Sequence, residues 1–198
     1  GVNPDDVKQP MDLHTVEEHL ARDRTLEYSE KRYKFVAQFA HDVRVVFKNG
    51  FLLTRVRDYD KSGKKDLGAN KTFKATEDAC KRFEDSLAAL EAELDQRGPA
   101  VPLSGRCQLL LSDLRHNPLS EWFRRDDVDT NLDDVQRALT SDIESNPLGE
   151  GADFVEAFEE NVNLVWSNAI KYNGTKGWIG TVAKMLQRTF GARIAALR

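Results

Sequence analysis

Two polar residues hold the same place in a repeated helical pattern: Thr54 in the first copy and Asn173 in the second. An asparagine amide brings N–H donors and a carbonyl acceptor and does not ionise. A threonine brings one shorter hydroxyl. Two copies of one shape that differ in such a group point to two domains with unequal binding ability. Other chemistry-bearing residues form weaker patterns. His14, His19, His41 and His116 have no metal-ligand spacing, and Cys80 and Cys107 lie apart in helical patterns. Asp126, Asp127, Asp129, Asp133 and Asp134 cluster in the second copy, and residues 55–74 carry seven Lys/Arg against three Asp. Charge runs of this kind are mostly solvated loops; they can also steer oppositely charged partners. Nucleophile elbow, phosphate loop and paired-acid motifs are missing from the sequence, which argues against an enzyme.

The elements that position these residues follow from the repeat. Leu13, Val16, Leu20, Phe35, Val36, Phe39, Val43, Val46 and Asn49 return 119 residues later as Leu132, Val135, Leu139, Phe154, Val155, Phe158, Val162, Val165 and Asn168. Apolar residues at spacings of three, four and seven form the buried stripe of a helix. The patterns predict helices over Met11–Arg24, Tyr28–Leu53 and Thr72–Gln96 in the first copy. In the second they predict helices over Gly105–Arg115, about 131–141, 151–172 and 180–197. The aromatic stripes Phe35, Phe39, Phe47, Phe83 and Phe154, Phe158, Trp166, Phe190 are expected in the cores. Strand-like alternation is absent, so both halves are expected to be all-α bundles. The expected domains are 1–97 and 105–198, joined by a linker over 98–104 that opens with Gly98-Pro99. The helix at Gly105–Arg115 has no counterpart ahead of Leu13, so the first domain is expected to leave an apolar groove open.

Composition agrees with folded domains. The 198 residues are 40 % hydrophobic and 31 % charged, and the net charge is −4. That charge argues against direct duplex binding. No apolar run reaches the roughly 18 residues of a membrane span. Two isolated cysteines fit a reducing compartment.

Val7-Lys-Gln-Pro-Met-Asp-Leu13 with Thr15-Val16 resembles the bromodomain signature leading into its second helix. The stretches Phe39 to Asn49 and Phe158 to Asn173 resemble that family's third helix. The resemblance covers nearly the whole chain and implies two left-handed four-helix bundles in tandem. Each would frame an acetyl-lysine pocket between its Z–A and B–C loops. On this resemblance Asn173 donates its amide N–H to the acetyl carbonyl and Tyr172 precedes it. Ile179 is the gatekeeper, Trp122-Phe123 forms the aromatic shelf, and Val128 lines the pocket. Trp178 is either a loop anchor or a peptide contact. Taken alone, Asn173 would be a helix C-cap. The second copy departs from the family by a short Z–A loop, with only nine residues from Phe123 to Leu132, and by lacking the Pro-Asp-Tyr segment. The first copy departs at Thr54 and Leu53, which replace the asparagine and tyrosine; Tyr59 or Asn70 of its longer loop could substitute.

The function implied is a non-enzymatic reader of acetylated lysine on histone tails. It would be nuclear, need no cofactor, and act mainly through the second domain. Other chromatin-complex proteins are possible partners, and no membrane is involved. The alternative is a degenerate pair serving as an acetylation-independent scaffold in a chromatin complex.

Overall fold

The computed structural model describes residues 7, 9–54, 67–97, 101–123, 130–149, 152–174 and 178–197. Among them all regular structure is helical: α1 (Leu13–Asp23), α2 (Val36–Thr54), α3 (Leu67–Arg97), α4 (Leu103–His116), α5 (Leu132–Ser145), α6 (Ala152–Asn173) and α7 (Trp178–Ala195). Short 3-10 turns occupy Tyr28–Glu30 and Pro118–Phe123. The all-α reading of the sequence holds for these residues. The chain divides into two compact units, Gly1–Arg82 and Phe83–Arg198. The division falls inside α3, so this helix contributes to both.

In the first unit, Asp12 caps α1 by accepting the Thr15 N–H at 2.7 Å. The helix predicted over Tyr28–Leu53 does not begin at Tyr28. Side-chain acceptors capture the backbone donors that such a helix would need. Asp23 takes the N–H groups of Arg32 (2.9 Å) and Tyr33 (2.8 Å), and Gln38 Oε1 takes those of Lys34 (2.7 Å) and Phe35 (3.1 Å). Helix α2 therefore starts at Val36. Asp42, on α2, accepts from Arg32 Nη2 at 2.6 Å and from the Tyr33 hydroxyl at 3.0 Å, which ties this turn to the helix. Buried Phe51 meets Phe73 edge-on, with ring centroids 5.2 Å apart, joining α2 to the first half of α3. Phe35, expected in the core, is exposed, because the turn at 32–35 holds it outside α2.

The second unit is more completely enclosed. Helix α6 packs on α7 and α5, and α4 packs on α5. Phe154, Phe158, Trp166 and Phe190 are all buried, as the stripe predicts. Phe158 and Phe190 meet edge-on at 5.7 Å. Helix α5 begins with a capping box: Asn131 accepts from the Asp133 and Asp134 N–H groups, and Asp134 accepts from the Asn131 N–H at 2.9 Å. Cys107, Leu111 and Leu114 form the buried face of α4. Arg115 at its last turn bonds Asp133 of α5, with Nε–Oδ1 at 2.9 Å. The C-terminal half of α3 is held by ion pairs: Asp85 with Arg188 at 2.9 Å, and Glu91 with Arg193 at 2.5 Å. Arg193 also reaches Asp113 of α4 at 2.5 Å, so one buried guanidinium joins three helices.

Candidate functional site

Asn173 is the last residue of α6. Gly174 follows it in the left-handed conformation, φ +73°, and ends the helix. The Asn173 amide turns back along its own helix, with Nδ2 donating to the Ala169 carbonyl at 2.9 Å. The left-handed position at this helix end is taken by Gly174 and not by Asn173 itself. The Ala169 bond consumes one of the two N–H groups. The second N–H and Oδ1 have no partner among the described residues, and the side chain is exposed. The amide can therefore donate to and accept from a neutral polar group without breaking its intrahelical bond.

Thr54 makes the same backward contact in the first unit. Its hydroxyl donates to the Gly50 carbonyl at 2.7 Å, with the Phe51 carbonyl at 3.3 Å. Threonine has a single hydroxyl proton, so this bond consumes all its donor capacity. The residue is also buried, whereas Leu53 beside it is exposed. The one-residue difference between the copies thus becomes a difference in available donors. Of the substitutes for this position, Tyr59 lies outside the described residues and Asn70 lies in the first turn of α3.

An aromatic wall stands at the start of α7, five residues on in the sequence from Asn173 (178 − 173). Trp122, in the Pro118–Phe123 turn, and Trp178, the first residue of α7, meet edge-on with ring centroids 4.5 Å apart. Phe123 is buried, and its ring meets buried Trp166 of α6 edge-on at 5.3 Å. These contacts seat the turn against both α6 and α7. The structure therefore brings Trp122 and Trp178 together. Ile179 is half-buried beside it, and Tyr172 is exposed next to Asn173. Val128 lies outside the described residues.

The acidic cluster resolves into separate roles where it is described. Asp133 pairs with Arg115, and Asp134 pairs with Arg137 while closing the capping box. The Asn131 N–H, aided by Arg137, holds the Asp134 carboxyl below the ordinary aspartate value. Asp126, Asp127 and Asp129 lie outside the described residues, as does the basic stretch 55–66. Among the described residues no group of three or more His, Cys, Asp or Glu side chains could hold a metal ion. No helix among them is long and apolar enough to cross a membrane.

Sequence reasoning missed the Trp122–Trp178 contact, because the two residues lie 56 positions apart (178 − 122) and share no periodic pattern. It also missed the α5 capping box, although Asn131-x-x-Asp134 carried that signal. No protein-family model, no curated protein and no solved structure matches the chain, so the bromodomain resemblance rests on the residues quoted for it.

Proposed function

We propose that this chain is a pair of bromodomain-like four-helix bundles and that the second reads acetylated lysine on histone tails as a nuclear chromatin-targeting module. The observation that carries the reading is the state of Asn173: a non-ionisable amide at an exposed helix end, with donor capacity to spare, five residues before Trp178 of the aromatic wall. Acetylation removes the lysine charge and leaves an amide. A neutral amide can enter an apolar slot where its carbonyl finds a donor, whereas an ammonium loses hydration there without a counter-charge. The Asn173 bond contributes about 1 kcal/mol net, so most of the discrimination comes from rejecting the charged lysine. Trp122, Phe123, Ile179 and Trp178 would form the apolar surround, with Tyr172 beside Asn173. Nothing in this reading requires a cofactor or a chemical step.

Titration with acetylated and unmodified histone peptides tests it. Preference for the acetylated form, weakened by Asn173→Ala without loss of helicity, is the expected result. Equal binding of the two peptides contradicts it.

A second reading is favoured by the first unit, where Thr54 has no donor to spare and part of the repeated apolar stripe is exposed. On that reading the pair is an acetylation-independent scaffold for other chromatin proteins. Pull-down partners that ignore acetylation would support it.

A further inference from the structure

Ser120 Oγ and Trp166 Nε1 lie in the core of the second unit with no hydrogen-bond partner among the described residues. Both residues are 0 % exposed. They share one interface. The Pro118–Phe123 turn is a 3-10 helix, in which side chains three residues apart stand over one another. Asn117, Ser120 and Phe123 therefore line one face of it. The Phe123 ring meets the Trp166 ring edge-on at 5.3 Å, so that face is turned to α6. Asn117 is buried as well. Its Oδ1 accepts the Leu119 N–H at 2.9 Å, and its Nδ2 donates to none of the described residues.

Burying a hydroxyl or an indole N–H without a partner is as unfavourable as losing a hydrogen bond. Filling the space at this place does not need the N–H. The repeat partner of Trp166 is Phe47 (166 − 119), which is also buried. The face of the Phe123 ring could receive the indole N–H, but Ser120 would stay unserved. One small molecule that both accepts and donates serves the two together.

We propose that the second unit holds one internal water between the Pro118–Phe123 turn and α6. It accepts from Trp166 Nε1, bonds the Ser120 hydroxyl, and takes Asn117 Nδ2 as its third partner. Three partners is about the usual number for a buried water. All three groups are uncharged, which suits water rather than an ion. The water pins the turn that carries Trp122, and so fixes one half of the aromatic wall.

A high-resolution crystal structure of the 198-residue chain, grown without peptide, tests the site directly. It should show ordered density about 3 Å from both Ser120 Oγ and Trp166 Nε1. Stability supplies the solution test. The three tryptophans, Trp122, Trp166 and Trp178, all lie in the second unit, so their fluorescence in urea follows that unit's unfolding. Ser120→Ala should lower the folding equilibrium constant about fivefold, because the water loses a bond. In a Trp166→Phe background the same change should cost no more than about twofold; the cavity left by the smaller ring cancels from that comparison. A dry interface, with the Ser120 hydroxyl on a backbone carbonyl or the indole N–H over the Phe123 ring, overturns the proposal. Unchanged or raised stability in Ser120→Ala also overturns it, since that is the behaviour of an orphan hydroxyl in a dry core. Equal costs in the two backgrounds do the same. The crystal structure and the Ser120→Ala measurement decide the matter even where Trp166→Phe fails to fold.

Discussion

At the scale of single residues, the difference between the copies reduces to a count of hydrogens. Thr54 and Asn173 both bond the carbonyl four residues back, but only the amide keeps an N–H afterwards. Thr54→Asn alone should not create a binding site, because position 54 is buried. Asn173→Ala should weaken acetyl-peptide binding about fivefold, the equivalent of roughly 1 kcal/mol, with the thermal midpoint nearly unchanged. Calorimetric titration of the variant checks both parts. Trp178→Ala should lower stability by about 1 kcal/mol through loss of the edge-on contact with Trp122, measured by urea denaturation. The place of Asn173 at a helix end was legible in the sequence because it ended a repeated pattern. The Trp122–Trp178 contact was not, because it joins a turn to a helix start that no periodicity relates.

Helices supply the next scale, and their ends carry much of the specification. Apolar spacing located α4, α5, α6 and α7 to within a few residues of their observed limits, because a buried stripe leaves a 3.6-residue trace. It failed at Tyr28, where Asp23 and Gln38 bind backbone N–H groups and hold residues 32–35 out of the helix. Those bonds are made by polar side chains whose targets lie three to ten residues away, a signal that hydropathy does not carry. The caps titrate. The Thr15 N–H holds Asp12, and the Asn131 N–H holds Asp134, below their ordinary value of 3.8. A carboxyl with a depressed folded-state value contributes stability that is fully present above its unfolded value and is lost as pH falls through the lower folded value. Hydrogen exchange in the first turns of α1 and α5 should therefore accelerate below pH ~4 beyond the intrinsic pH trend, and Asp134→Asn should remove that acceleration in α5. Cys107 reports on α4 docking: burial pushes its thiol up to about 11. It should resist thiol reagents at neutral pH in the native chain and react quickly in denaturant, which a timed mass-spectrometric labelling assay reads directly.

For the whole molecule, one apolar stripe recurs in two units and is buried to different extents. The second buries Leu132, Leu139, Phe154 and Val155; the first leaves the same four positions exposed. The all-helical character was legible from sequence, because it follows from the identity and spacing of apolar residues. The burial of Arg193 among α3, α4 and α7 was not, since its partners Glu91 and Asp113 lie 102 and 80 residues away. The net charge of −4 favours encounter with basic peptides. Association of a lysine-rich acetylated tail should slow as salt rises while dissociation changes little, as stopped-flow kinetics would show. The central claim concerns what the second unit holds, and one titration addresses it most directly: an acetyl-lysine histone peptide and its unmodified twin against the 198-residue chain. The account predicts that the acetylated peptide binds at least tenfold more tightly and shifts the amide signals of Asn173 and the indole signals of Trp122 and Trp178. Equal affinity for the two peptides, or shifts confined to the first unit, would contradict it.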